Sequence, residues 1–301
     1  MKDYRGKWLY EPDTVLFEVN GAIATITLNR PETRNALNGQ MLSEMHDAML
    51  EADDRQDVNV IVLQGAGKDF CSGYDLKLSY EGRGEKTELG DYKYREATKR
   101  FDDDCWSMER TQRWSTIMAA LHKPVIAKVQ GNCLAGGTDI ALGCDLVVAA
   151  DDAKIGFPAT RANGTPPAHM WTYHVGPQWA KRMLFTGDRI WGKDAVKIGL
   201  VLESWPADQL DEKVAELAGK VGATDAELLS AHKRVVNMAL EQMGAGTIQR
   251  IAAELDARAH LSTGPRRTQF KSDMKEHGMK VALQNRDEPY GDGFVRFRET
   301  D

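Results

Sequence analysis

The chain has 301 residues, 42% of them hydrophobic and 28% charged, with a net charge of −6 at pH 7. That length can bury one large core, and the acidic balance argues against nucleic acid or an anionic membrane surface as a partner. No stretch nears the roughly 20 apolar residues of a bilayer-spanning helix, and the charged start MKDYRGKWLYEPD lacks the apolar run of a secretory leader.

The first clear element is a hairpin, VLFEV (15–19) and AIATITL (22–28), joined by Asn20-Gly21, a pair suited to a type I′ turn. Residues 40–53 then carry Met41, Leu42, Met45 and Met49 at helical spacing, which predicts one buried stripe. VNVIVLQG (58–65) is an unbroken apolar run ending in glycine and reads as an interior strand. Residues 79–114 begin charged and glycine-rich and become helical, which predicts a mobile loop leading into a helix; its acidic run Asp102–Asp104 reads as a solvated face. Alternation resumes with strand 124–130, a helix from Gly136 to Leu142, strand 145–150 and short strand 154–157, the order of an α/β core.

Gly176-Pro177 places a proline at a helix start, and FTGDRI (185–190) breaks that helix. From Pro206 onward the chain is helical in pattern, with Thr224 and Ser262/Thr263 available as caps. This predicts a core over 1–205, a helical region over 206–285 that packs on a neighbouring subunit, and a docking tail over 286–301. The cysteines Cys71, Cys105, Cys133 and Cys144 are widely spaced without a CxxC. They read as free buried thiols rather than a disulfide or metal framework, which fits a reducing cytoplasm.

Two glycine turns carry the chemistry. QGAGKDFCSGYDL (64–76) follows the interior strand, and VQGNCLAGGTDIALGCDLVVA (129–149) runs from a strand through Ala135-Gly136-Gly137 into a helix. Glycine lets a substrate approach the backbone closely, and a helix N-terminus offers unpaired N–H groups. Two such turns facing each other could aim two donors at one oxygen, an oxyanion hole in which each donor is worth about 3–4 kcal/mol. Neither turn matches GxGxxG or GxxxxGK[ST], so a dinucleotide or nucleoside triphosphate site is not supported.

The stretches ATITLNRPETRNALN (24–38), GAGKDFCSGYDL (65–76), KPVIAKVQGNCLAGGTDIALGCDLVVAADDAKIGFP (123–158) and FTGDRIWGKDAVKIGLV (185–201) resemble, in order and spacing, the enoyl-CoA hydratase/isomerase (crotonase) family. The resemblance implies an α/β spiral of ββα repeats with a helical C-terminal trimerisation region, assembled as a homotrimer or a homohexamer of two trimers. It implies an acyl-CoA thioester as substrate, with coenzyme A as part of that substrate and no separate cofactor or metal. The thioester oxygen would be held by the N–H groups of Tyr74 and Gly136. Gly73, Asp75, Leu76 and Lys77 would line the adenine end, with Lys77 near the CoA, and Gly137 would lie beside the substrate.

Hydratases of the family use two glutamates, and at those positions this chain has Asp139 and Ala159. Asp139 keeps a carboxylate beside the thioester, on a helix start that favours its ionised form, whereas Ala159 can neither give nor take a proton. One carboxylate would suffice for double-bond isomerisation or for activating water in carbon–carbon cleavage. Three readings follow: an atypical hydratase, isomerase or C–C-cleaving hydrolase; an acyl-CoA-binding protein without catalysis; and an RNA-binding member, which the acidic balance disfavours. Arg161 suits a substrate carboxylate, or else an exposed or interface position. Trp171 is a candidate pocket residue on a stretch with His169, Tyr173 and His174 that reads as a helix roofing the acyl pocket, and His122 reads as a satisfied helix-end histidine. Asp75 and Asp145 read as structural caps.

Overall fold

The computed structural model describes residues 4–77, 88–89, 92–95 and 100–298. Eleven strands occur among them: β1 (Val15–Asn20), β2 (Ile23–Leu28), β3 (Val60–Gly65), β4 (Glu88–Leu89), β5 (Tyr92–Lys93), β6 (Val125–Val129), β7 (Asn132–Leu134), β8 (Leu146–Ala150), β9 (Lys154–Gly156), β10 (Arg189–Trp191) and β11 (Glu203–Trp205). The main sheet runs in the order β1-β2-β3-β6-β8-β11. Its β1–β2 pair is the antiparallel hairpin, and every later pairing is parallel. A smaller sheet, β10-β9-β7, stands beside it, and β4 pairs with β5 alone.

The topology places the two glycine turns together. β3 and β6 are parallel neighbours, with Ile61 opposite Val125 and Leu63 opposite Ala127. Both chains therefore leave the sheet at the same end, where open parallel sheets build their sites. The first, after Gly65, becomes the segment carrying Gly73 and Tyr74; the second becomes β7 and then a helix at Gly136.

Nine α-helices lie among the described residues: α1 (Gly39–Asp54), α2 (Phe101–Ser115), α3 (Gly136–Ala141), α4 (Trp171–Thr186), α5 (Gly192–Ala195), α6 (Leu210–Gly222), α7 (Ala226–Gln242), α8 (Ala245–His260) and α9 (Pro265–Asp287). Asn38 caps α1 by accepting the Met41 N–H, and the stripe Met41, Leu42, Met45 and Met49 is buried against the sheet. Gly176 interrupts α4 at φ 69°, so its second segment starts at Pro177. No helix among the described residues is long and apolar enough to cross a membrane.

Several local expectations are corrected. The three-residue strands β7, β10 and β11 were too short to show a period, and β10 lies partly in the stretch read as a helix break. Neither Thr224 nor Thr263 caps a helix: α7 starts after Asp225 and α9 after Gly264, each without a side-chain cap bond. The mobile loop read at the start of 79–114 falls largely on 78–87, 90–91 and 96–99, outside the described residues. After Gly278 (φ 79°) the end of α9 folds back, and Arg286 Nη1 donates to Asn163 Oδ1 at 3.1 Å. Beyond it, Arg189 N–H donates to Gly293 O and Val295 N–H to Arg189 O, both at 2.8 Å. The tail thus lies along β10, with Phe294 stacked on Trp191 at 4.4 Å.

A strap after β2 fixes the first glycine turn. Asn35 is fully buried with φ 54°; its Oδ1 accepts the Arg30 N–H at 2.9 Å, and its Nδ2 donates to Ala66 O (2.9 Å) and Asp69 O (2.7 Å). Asn35→Ala strips partners from three buried backbone groups and puts a less tolerant residue at positive φ. Urea denaturation is expected to show a loss of about 2–4 kcal/mol.

Candidate active site

Main-chain bonds press the two turns together. Cys71 N–H donates to Asn132 O at 2.9 Å and Leu134 N–H to Cys71 O at 3.0 Å, so residues 70–73 run alongside β7. The contact is too close for side chains. A Cβ on Gly73 would lie 2.9 Å from Ala135 Cβ and 3.5 Å from Gly136 N, and one on Gly137 would lie 2.7 Å from Cys71 O. Gly73 also has φ 104°, which glycine alone adopts readily.

The N–H of Tyr74 is turned toward this seam. Leu37 N–H donates to Gly73 O (2.8 Å) and Asp75 N–H to Leu37 O (2.9 Å), so the groups flanking Tyr74 face the strap. In such a bridge the residue's own N–H points the other way. On the second turn Ala135 has φ 48° and ψ −117°, which rotates the peptide between Ala135 and Gly136 out of the strand direction. A non-glycine residue there is strained by on the order of 1–3 kcal/mol. Thr138 and Asp139 N–H groups return to Ala135 O at 2.8 and 3.2 Å and hold the turn. Among the described residues no acceptor takes the Tyr74 or Gly136 N–H.

Asp139 lies three residues after Gly136 on α3 and therefore shares its face. It is 2% exposed; its Oδ2 accepts the Tyr74 O–H at 3.0 Å, and its Oδ1 has no partner among the described residues. Burial drives the carboxyl well above its ordinary pKa, the nearby Asp256 adds to that, and the Tyr74 bond opposes it. Burial thus opposes the ionised form that the helix start favours. A six-residue helix offers about 0.3–1 kcal/mol, whereas burying an unpaired carboxylate costs several kcal/mol. Tyr74's phenol is also pushed well up, first by burial and then by Asp139.

Asp256 and His260 were not singled out from the sequence, although their i, i+4 spacing on one helix was a visible signal. Asp256 on α8 accepts the Thr165 N–H at 2.8 Å, and His260 Nε2 lies 3.6 Å from its Oδ2. On the far side of the ring, His260 Nδ1 and Asp104 Oδ2 are 3.1 Å apart. Asp104 is fully buried, which corrects the solvated-face reading at that residue, while Asp102 is exposed as expected. Burial raises the pKa of Asp256, and His260 and the Thr165 N–H partly offset this.

The remaining candidates separate. Arg161 is neither exposed nor free for a substrate: Nε donates to Thr186 O (2.9 Å), the Nη groups pair with Asp188 (3.1 Å) and Asp287 (3.2 Å), and Tyr290 covers it at 4.2 Å. It locks the C-terminal segment to the core. Trp171 is enclosed in the core, so it does not line an open pocket; its Nε1 has no partner among the described residues. Ala159 sits in a turn whose carbonyl accepts the N–H groups of Ala162, Asn163 and Gly164. Asp75 pairs with Arg30 at 3.1 Å, Leu76 packs on the C-terminal cluster of Ala162, Phe270 and Ala282, and Lys77 is exposed. His174 Nε2 lies 2.9 Å from Leu142 O, and His122 Nδ1 lies 3.2 Å from Ser230 Oγ. Asp145 accepts the Val125 N–H at 2.7 Å and Lys233 Nζ at 2.8 Å. All four cysteines are free, and Cys71 is pushed up to about 12 by burial.

Two unpaired N–H groups on adjoining turns, with a buried carboxyl of raised pKa on the same face, form a site able to stabilise an oxyanion and move a proton beside it. The comparisons agree. Residues 18–292 match the model of the enoyl-CoA hydratase/isomerase family. A probable enoyl-CoA hydratase of Mycobacterium bovis is 32% identical over 76% of this chain and 83% of its own length. The hydroxycinnamoyl-CoA hydratase-lyase of Pseudomonas fluorescens is 30% identical over 94% of this chain and 99% of its own. A crystal structure of an enoyl-CoA hydratase from Mycobacterium smegmatis superposes with a TM-score of 0.83 at 36% identity, covering 94% of this chain and 97% of that one. The fold is that of a crotonase-type, acyl-CoA-processing enzyme. The chain belongs to the enoyl-CoA hydratase/isomerase family.

Because its folded-state pKa is raised, protonated Asp139 contributes stability that is complete below the unfolded value of 3.8 and lost as pH rises through the folded value. The stability difference between wild type and Asp139→Asn is therefore expected to fall as pH rises above 4, by at most about 1.4 kcal/mol per pH unit. Urea titrations of both proteins across that range measure it; a flat difference would mean that Asp139 is ionised in the fold.

Proposed function

We propose that the protein adds water across the double bond of an enoyl-CoA thioester, in the manner of an enoyl-CoA hydratase. The observation that carries this reading is the buried carboxyl of Asp139 on the same face as Gly136, with an oxygen left without a partner beside two unpaired N–H groups. The thioester oxygen is held by the Tyr74 and Gly136 N–H groups, which draw charge off the β-carbon and stabilise the enolate formed when water attacks it. Asp139 then delivers its proton to the α-carbon. The 73–77 segment runs toward the CoA end, with exposed Lys77 available to the CoA. No metal or redox group enters the scheme.

A second reading shares the same steps. The similarity to a hydroxycinnamoyl-CoA hydratase-lyase over 94% of the chain supports hydration followed by cleavage of the carbon–carbon bond, with the departing enolate held by the same two N–H groups. A non-catalytic acyl-CoA binder is less well supported, because a buried carboxyl oxygen without a partner is a burden that binding alone does not require.

Assembly follows from the helical region. Leu228, Val235, Val236 and Met238 on α7 and Ile251 and Leu255 on α8 are 45–72% exposed, an apolar surface suited to a protein–protein contact. It supports a homotrimer or homohexamer through 206–285, acting in the cytoplasm, with 1–205 as the catalytic core.

The test is hydration of crotonyl-CoA and of cinnamoyl-CoA, followed by loss of the conjugated thioester absorbance. Asp139→Ala is expected to lower kcat by about 10²–10⁴-fold. Wild-type inactivity on both substrates despite acyl-CoA binding, or an Asp139→Ala variant as fast as wild type, would sink the assignment.

A further inference from the structure

Water addition moves two protons: one leaves the attacking water and one reaches the α-carbon. Asp139 accounts for the second only, and the position where the family carries its other carboxylate is Ala159. We propose that the side-chain hydroxyl of Tyr74 is the missing proton-transfer group, relaying the proton of the attacking water to Asp139. The proposal rests on the hydratase reading above and adds a second role to a residue whose backbone N–H already serves the thioester.

The geometry supports it at each joint. Tyr74 O–H donates to Asp139 Oδ2 at 3.0 Å, which leaves the carboxylic proton for Oδ1, the oxygen without a partner among the described residues. The ring lies over the second turn, since a Cβ on Gly136 would meet Tyr74 Cε2 at 2.9 Å. The phenol is thus against the backbone that holds the thioester, and an acyl group seated on Gly136 must touch it. Burial and the Asp139 carboxyl both keep the phenol protonated, so it serves as donor in the resting site.

The step balances. The water oxygen bonds to the β-carbon and the double-bond pair moves toward the thioester, giving an enolate on the two N–H groups. As that bond forms, the water's proton passes to the Tyr74 oxygen, and the phenolic proton passes to Asp139 Oδ2. The Oδ1 proton goes to the α-carbon. One water has been added, and phenol and carboxyl are both neutral again. No oxidant, reductant or metal is needed.

Tyr74→Phe keeps the ring and the backbone N–H and removes only the hydroxyl. On whichever of crotonyl-CoA and cinnamoyl-CoA the wild type hydrates faster, kcat is expected to fall on the order of 10²-fold, with KM within about threefold. A Tyr74→Phe/Ala159→Glu double variant is expected to regain at least about tenfold of that loss, a rescue that a merely structural hydroxyl would not permit. A Tyr74→Phe kcat within about threefold of wild type would overturn the proposal and leave the hydratase reading standing. Wild-type inactivity on both substrates would overturn both. Should Tyr74→Phe fail to fold, a proton inventory in mixed light and heavy water on the wild-type enzyme decides. A curved dependence is expected for two protons in flight, and a linear one would overturn the relay.

Discussion

The site depends on one constraint, the pressing together of two main-chain turns that belong to neighbouring parallel strands. With β3 and β6 side by side, the chain ends at Gly65 and Val129 emerge from the same edge, and the Cys71–Cys133 bridge carries the sheet's pairing past that edge into the turns. Only residues without a Cβ fit at Gly73, Gly136 and Gly137. The same crowding forces Ala135 into a strained conformation that its neighbours' bonds must hold. The strain turns the Gly136 N–H away from the ladder, and the strap at 30–38 does the same for Tyr74. Two donors that an ordinary fold would consume in secondary structure are left for a ligand.

The electrostatics follow from that packing. α3 is fully buried because it begins where the two turns meet, and that burial is the main reason the Asp139 carboxyl's pKa is raised. In the family's two-glutamate scheme, one carboxylate of a pair takes up a proton. Here a single buried carboxyl has its pKa raised, chiefly by burial and further by Asp256, which His260 and Asp104 adjoin. A residue of the C-terminal helices thus adds to the electrostatics of a group on the core.

Much of the frame was legible in the sequence, for reasons that differ by element. The hairpin, the methionine stripe of α1 and the interior strand β3 declare themselves through period and turn chemistry that a short window contains. The glycine turns and Asp139 were legible through spacing and family resemblance. What failed depends on contacts distant in sequence. Asp104 looks solvated in its own helix and is buried only because α8 packs on it with His260, 156 residues away. Arg161 looks like an anion receptor until Asp188 and Asp287 close on its guanidinium. The ionised state expected of Asp139 was a local argument from a helix end, and burial, a property of the whole fold, outweighed it.

The alanine at position 159 also makes sense in these terms. The turn that begins there runs on to Gly164 and Thr165, where Asp256 is bonded and where a Cβ on Gly164 would lie 2.4 Å from its Oδ1. A glutamate at 159 would bring a carboxyl to a turn whose Ala162 and Asn163 carbonyls are already held by the Arg267 guanidinium. A phenol brings a transferable proton with no charge, and it stands against the Asp139 carboxyl rather than across the site from it. On the relay proposed above, the loss of a carboxyl at 159 and the use of the Tyr74 hydroxyl are one change, in which an uncharged donor stands where the family uses a charged group.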